Sequence, residues 1–188
     1  MSALPEQIRA FVAVRIPETV VAQLIQVQDQ LKSEFQHDVS WTRAAAMHVT
    51  LQFLGNIKSA EVPKITAALG QAAREASGFE IALGAPGTFG NRVLWVGIEQ
   101  GKEPLMKLSD AVRRATHGFG SHTEIRSFSA HVTLGRFRRP VRGVAAVLRK
   151  IQTPRLSSWS VDGFELIRSE LSPRGATYTS LQSFSLPL

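Results

Sequence analysis

The 188-residue sequence predicts an α+β fold of two similar lobes, with mainly antiparallel sheets lining a central cleft and helices on the outside. The main observation is that His-Val-Thr-Leu occurs at 48–51 and again at 131–134. A second repeat accompanies it, because Gly-Phe-Glu begins at both Gly78 and Gly163. Each half also shows the same order of segments: helix, His-Val-Thr-Leu strand, helix, Gly-Phe-Glu strand, turn and strand. These observations predict one bilobal, pseudo-twofold domain over 1–188, with repeat halves of about 8–98 and 103–188.

The first half alternates predicted strands and helices. An apolar run before Pro17 predicts a strand, and the apolar residues that follow recur with the helical period. Ser59 is a candidate N-cap for a second helix. The predicted elements are strands at 8–16, 47–55, 78–84 and 92–99, helices at 17–35 and 60–76, and a loop or turn at 85–91.

The second half follows a similar order. An amphipathic segment closed by Gly118 predicts a helix, because glycine favours the left-handed conformation that ends helices. The predicted elements are helices at 103–120 and 141–152, strands at 130–137, 159–171 and 177–186, and a turn at 172–176.

Composition narrows the class of protein. The chain has no cysteine, which excludes disulfides, thiolate metal sites and a cysteine nucleophile. It has neither a basic segment before an apolar run at its start nor an apolar run long enough to span a membrane. We therefore expect a cytoplasmic monomer without membrane association. The net charge of +7 fits either a polyanionic partner such as RNA or simply a basic soluble protein.

Strand alternation gives the repeated tetrapeptide one polar and one apolar face. Side chains alternate along a strand, so His48, Thr50 and Gln52 should share one face, and Val49, Leu51 and Phe53 the other. His131 and Thr133 should likewise point away from Val132 and Leu134. If a twofold axis relates the lobes, the two His-Thr faces meet across the cleft.

Two histidines facing each other suit acid–base catalysis. Histidine has an ordinary pKa of about 6.5, so one ring can be a neutral base while the other is a cationic acid. Threonine hydroxyls can donate to anionic oxygens, and neither motif has a partner at metal-ligand spacing, so a metal is not required. The chemistry that fits is metal-free phosphate ester cleavage. A histidine on a sheet face is more often only hydrogen-bonded or solvated, but packing does not explain a repeated polar pair.

The two His-x-Thr motifs, about half a chain apart, resemble those of the two-histidine phosphoesterases. With "IRAFVAVRIP", "FSAHVTLGRF" and "FELIRSELSPRGATYTSL", the sequence is most similar to the bacterial and archaeal RNA 2′,3′-cyclic phosphodiesterases, also described as 2′-5′ RNA ligases. This resemblance implies a bilobal fold with a central cleft. It also implies hydrolysis of 2′,3′-cyclic phosphate ends of RNA or nucleotides to 2′-phosphates, without a metal or other cofactor.

The resemblance also assigns roles. It implies that His131 activates water, that His48 protonates the departing 3′ oxygen, and that Thr50 and Thr133 bind the phosphate oxygens. Arg136 matches an arginine that would add a cation to the phosphate. Strand alternation places Arg136 on the face opposite His131, so either the strand bulges or Arg136 has another role. The family often has a basic residue where this chain has Gln52, a departure that leaves substrate preference open.

Further residues allow two interpretations each. Arg126, Arg138, Arg139 and Arg142 could guide an RNA backbone or form a solvated surface. Four aromatic residues could stack on a base or belong to the core: Phe11, Trp41, Trp95 and Tyr178.

Three functional hypotheses remain. The first is the cyclic phosphodiesterase, with 2′-5′ ligation as the reverse reaction. The second is a phosphodiesterase acting on 2′-5′ oligonucleotides, and the third a non-catalytic basic RNA-binding module.

Overall fold

The computed structural model describes residues 4–35, 38–121, 128–151, 158–172 and 175–187. Within these residues, nine strands form one sheet in which the registered neighbours are antiparallel. The strands are β1 (Gln7–Arg15), β2 (Val39–Trp41), β3 (His48–Lys58), β4 (Phe79–Phe89), β5 (Val93–Gln100), β6 (His131–Phe137), β7 (Ser158–Val161), β8 (Gly163–Ser172) and β9 (Gly175–Ser185). The helices are α1 (Glu18–Phe35), α2 (Val62–Arg74), α3 (Lys102–Ala115) and α4 (Val144–Leu148).

The helices cover one face of the sheet. In α1, the five residues of the predicted apolar stripe are buried, and together with strand residues they form the main hydrophobic core. A smaller apolar cluster lies apart from it, formed by Phe11, Ala13 and Ile167 with Phe53 and Tyr178 packed against them. Strand β1 is therefore buried on both faces at its centre.

Several element boundaries differ from the predictions. Ser59 does not cap α2, because its hydroxyl donates to the Pro5 carbonyl and a 3-10 turn, Ser59–Glu61, precedes the helix. The predicted strand at 159–171 is divided into β7 and β8. Helix α3 ends at Ala115, before Gly118, and α4 has five residues. The predicted turn at 172–176 lies partly outside the described residues.

The predicted loop at 85–91 is wrong for most of its length, because β4 continues to Phe89. Pro86 follows a register irregularity in the β4–β5 ladder, and such irregularities tolerate proline in a sheet. The chain reverses only at Gly90 and Asn91, whose φ angles of 54° and 52° suit the tight hairpin turn of type I′. Gly87 pairs with Trp95 on β5, and its missing side chain leaves room for the indole ring.

The strand order interleaves the two halves of the sequence. The sheet runs β7-β4-β5-β6-β3-β1-β8-β9, and β2 pairs with β6 off this path. Each side of the sheet therefore combines strands from both halves: β3 and β1 with β8 and β9, and β5 and β4 with β6 and β7. Strands β3 and β6 meet at the centre through one registered pair, Val49 with Val132. The repeated tetrapeptides thus lie side by side, while the duplication itself stays a prediction.

We predict that Gly87→Ala destabilises the fold, because its new Cβ atom would overlap the Trp95 ring. Overpacking of this kind costs about 1–3 kcal/mol of unfolding free energy. Chemical denaturation measures it, with Gly70→Ala as the control. A Cβ atom on Gly70, inside α2, meets only Arg74 Nη1 at 3.7 Å and Phe184 Cε1 at 4.0 Å, so that change should stabilise the helix by about 1 kcal/mol. Equal effects of the two substitutions would contradict the packing argument.

Candidate active site

All five site residues predicted from the sequence line the central cleft. His48, Thr50, His131, Thr133 and Arg136 line a cavity of about 470 Å³. The first two lie on β3 and the other three on β6. The remaining lining residues are Arg9, Ala10, Phe11, Thr42, Ala46, Phe53, Ser169, Leu171, Ala176 and Tyr178.

A β-bulge in β6 brings Arg136 to the face that carries His131. Thr133 and Gly135 pair with the consecutive residues Trp95 and Leu94 of β5, so Leu134 is an extra residue in β6. The extra residue reverses the alternation beyond it. Of the two interpretations that the sequence left open for Arg136, the bulge is confirmed.

Strand β3 bulges at the equivalent place. Thr50 and Gln52 pair with the consecutive residues Ala13 and Val12 of β1, which makes Leu51 the extra residue. Strict alternation was therefore wrong beyond Thr50, since Phe53 lines the cleft and Gln52 is 8% exposed. Phe53 and Arg136 each lie three residues after the motif threonine, so the same position carries an aromatic ring on one side of the cleft and a cation on the other.

Both histidine rings are oriented in the same way. His48 Nδ1 lies 2.9 Å from the Ala46 carbonyl oxygen, and His131 Nδ1 lies 2.7 Å from that of Ser129. A carbonyl oxygen only accepts, so each Nδ1 carries the proton and donates it. In the neutral ring, Nε2 is then the atom with a free lone pair. The backbone two residues earlier thus prepares each Nε2 to accept or deliver a proton.

Aromatic rings pack against the imidazole rings of both His48 and His131. The His48 ring stacks on Phe11 with centroids 4.8 Å apart and meets Tyr178 edge-on at 5.4 Å. The His131 ring contacts Phe89 at 5.0 Å and Trp95 at 6.3 Å. Of the four aromatic candidates from the sequence, only Trp41 lies away from the histidines, packed against the main core.

Burial lowers the pKa of both cleft histidines. It lowers the pKa of His48 to about 4, although the bond to Ala46 opposes the shift and the neighbouring His131 adds to it. Burial also lowers the pKa of His131, against the bond to Ser129 and with a further lowering from the Arg136 cation. Near neutral pH both rings are therefore neutral and able to act as bases.

The cleft is electropositive. Among the described residues, its lining contains Arg9 and Arg136 and no carboxylate. The nearby carboxylate of Glu165 is only 9% exposed and accepts from Arg15 Nε at 2.6 Å. Such a cleft favours an anionic ligand.

Sequence reasoning did not assign Arg9 and Phe53 to the cleft, nor Phe89 to the contact with the His131 ring. Arg9 could have been found by alternation from Phe11, two residues later on β1. Phe53 depends on the bulge, and Phe89 fell in the segment predicted as a loop. Outside the cleft, Arg138, Arg139 and Arg142 are exposed or half-buried, while Arg126 lies outside the described residues.

The described residues contain neither a cluster of metal-ligating side chains nor a membrane-spanning helix. No group of three His, Asp or Glu side chains there could hold a metal ion. No helix there is long and apolar enough to cross a membrane.

Comparison with known proteins gives consistent results. A family model described as the 2′-5′ RNA ligase superfamily matches residues 17–173. The chain is 30% identical over 186 residues to the RNA 2′,3′-cyclic phosphodiesterase of Methanothermobacter thermautotrophicus, covering 96% of this chain and 100% of that protein. It is 32% identical over 190 residues to the protein of the same name from Thermus thermophilus, covering 95% and 90%.

Solved structures share the fold. Protein TT0787 of Thermus thermophilus superposes with a TM-score of 0.77 at 30% identity, covering 95% of this chain and 97% of that one. Escherichia coli LigT complexed with 3′-AMP gives a TM-score of 0.79 at 24% identity, covering 97% and 100%.

The low pKa of His48 predicts a loss of stability in mild acid. As the pH falls below 6.5, His48 takes up a proton in the unfolded chain, whereas in the folded protein it does so only near pH 4. The unfolding free energy should therefore fall between these values by at most about 3 kcal/mol more in the wild type than in His48→Gln. Urea denaturation at a series of pH values tests this. Parallel pH curves for the two proteins would show that His48 is not desolvated.

Proposed function

The chain belongs to the 2′-5′ RNA ligase superfamily, and on that basis we propose that it hydrolyses 2′,3′-cyclic phosphate ends of RNA to 2′-phosphates. One observation carries the proposal. Two histidines, each held by a backbone carbonyl at Nδ1, line one electropositive cleft with two threonines and an arginine. The names of the relatives supply the substrate class.

In the proposed reaction, both rings act through Nε2. His131 removes a proton from a water molecule as its oxygen attacks phosphorus. The bond from phosphorus to the 3′ oxygen breaks, His48 gives that oxygen a proton, and the phosphate stays on the 2′ oxygen. The developing charge falls on the non-bridging oxygens, and we propose that Thr50, Thr133 and Arg136, which line the cleft, bind them. Run backwards, with a ribose 5′ hydroxyl in place of water, the same steps give 2′-5′ ligation.

The different residues at the two bulges support this division of roles. Arg136 lowers the pKa of His131, which favours a neutral base there. The equivalent position beside His48 holds the uncharged ring of Phe53. When the phosphate anion enters, its charge favours protonation of an adjacent imidazole. Burial lowers the pKa of His48 to about 4, so its proposed role as the acid requires that the phosphate charge raise this pKa.

We propose RNA or nucleotide ends as substrates and action as a monomer in the cytoplasm. The positive cleft supports the first of these, as does the chain's structural similarity to a LigT protein complexed with 3′-AMP. Size-exclusion chromatography and cell fractionation test the other two.

We predict that His48→Ala and His131→Ala each lower hydrolysis of 2′,3′-cyclic AMP by about 10²–10⁴-fold, because each removes one proton transfer. The assay is run in EDTA across pH 5–9, with phosphorus NMR to identify the product. A bell-shaped profile for the wild type and a 2′-phosphate product are expected.

The control for the histidine variants is His117→Ala, which changes an exposed histidine beyond α3 and should keep full activity. Circular dichroism establishes that all three variants fold. Full activity of either folded cleft variant would refute the acid–base pair. A 3′-phosphate product would show that the 2′ oxygen is the leaving group and that water attacks from the opposite side.

We predict that Arg136→Met raises the pKa of His131, because a neighbouring positive charge that disfavours the imidazolium is lost. It should also lower kcat/KM by at least about 10-fold, because a cation is lost from the transition state. NMR titration of the ring protons measures the pKa, with Arg113→Met on α3 as the control. A change in the pKa of His48 alone would show that Arg136 acts on His48 and not on His131.

A further inference from the structure

Strand β6 carries polar side chains toward the cleft along its whole length. His131, Thr133 and Arg136 line the cavity, and the exposed Arg138 follows directly after the end of β6 at Phe137. Side chains on one face of a strand recur about every 7 Å. Successive phosphates of an extended nucleic acid strand have a similar spacing, so one strand could meet these side chains in order.

The end of β6 has few negative charges nearby. Its neighbour β2 pairs Ser40 with Arg136, and the Arg138 N–H donates to the Asp38 carbonyl at 2.9 Å. The Asp38 carboxylate lies 3.3 Å from the Arg139 guanidinium, and the Arg139 and Asp38 side chains are 79% and 43% exposed. Among the described residues, Arg136 and Arg138 have no ion-pair partner. Exposed ion pairs contribute little, so Arg139 can exchange Asp38 for a phosphate.

The corresponding part of β3 lacks these charges. Five and seven residues after the motif histidine, the second copy has Arg136 on β6 and Arg138 just beyond it, whereas β3 has Phe53 and Gly55. Aromatic side chains dominate that side of the cleft, where Phe11 and Tyr178 surround His48. At these two positions the repeated motif is followed by cations in its second copy only, and the cation that lines the cleft beside β3 is Arg9 of β1.

We propose that the RNA strand leading to the cyclic phosphate lies along the end of β6, with backbone phosphates upstream of the reacting one bound by Arg138 and Arg139. This surface extends the cleft and selects a single-stranded RNA end over a free cyclic mononucleotide. The inference rests on the proposed function, because the reacting phosphate at His48 and His131 sets the position of the strand.

The test compares two matched double variants. Arg138→Gln/Arg139→Gln changes the β6 pair, and Arg113→Gln/Arg114→Gln changes two adjacent exposed arginines of α3. In each pair one arginine binds an aspartate, Asp38 or Asp110. The two variants therefore lose equal charge from similar surroundings.

Binding is measured by fluorescence anisotropy with a labelled RNA decanucleotide that ends in a 3′-phosphate, over a range of salt concentrations. The β6 variant should bind about 10-fold more weakly, and its slope of log affinity against log salt should be smaller by about 1.4, for two lost phosphate contacts. The α3 variant should bind as the wild type does. Arg138→Lys keeps the charge and should retain most of the affinity.

Turnover of 2′,3′-cyclic AMP is measured on the same proteins. It should stay within about 2-fold of wild type in both double variants, because a mononucleotide has no upstream phosphate to bind. Equal weakening of RNA binding in both double variants, or in neither, would overturn the proposed surface. If the wild type does not hydrolyse 2′,3′-cyclic AMP, the proposed function is refuted. The binding comparison still decides whether the end of β6 binds RNA.

Discussion

The single registered contact between β3 and β6, Val49 with Val132, is the constraint on which the site depends. It fixes two antiparallel strands at the centre of the sheet, so that each histidine lies near the threonine of the other motif. One residue beyond each threonine the strands bulge and turn to other partners, and β6 pairs there with β2 and β5. The closeness of the motifs and the opening of the cleft between them follow from the same short contact.

The imidazoles combine a fixed orientation with an unfavourable environment for charge. Aromatic rings and burial remove water, which lowers both pKa values, while the carbonyls of Ala46 and Ser129 fix the tautomer. Both rings are thus neutral bases near neutral pH. In the proposed reaction, the charge of the phosphate makes one ring an acid, so the substrate completes the catalytic pair.

The sequence was sufficient to predict the α+β class, the two motifs, their meeting across a cleft and five of the residues that line it. These depend on local alternation and on the repeat. The β6 bulge was only one of two alternatives for Arg136, and the β3 bulge was not predicted, because an extra residue such as Leu134 is recognised only through the strands that pair beside it. The extent of β4 was missed because Pro86 and Gly87 have turn propensity, and the Trp95 ring packed over Gly87 outweighs it. The strand order was also inaccessible, since it depends on contacts remote in sequence.

The interleaving of the halves has a consequence for how such a molecule is made. Arg15 on β1 binds Glu165 on β8, 150 positions later, so much of the chain must be synthesised before this side of the sheet is complete. Pairings this remote slow folding. If the repeat arose by duplication, a single-copy ancestor could have built the same sheet only by exchanging strands between two subunits. The present chain would then descend from a domain-swapped dimer whose fusion made that exchange intramolecular.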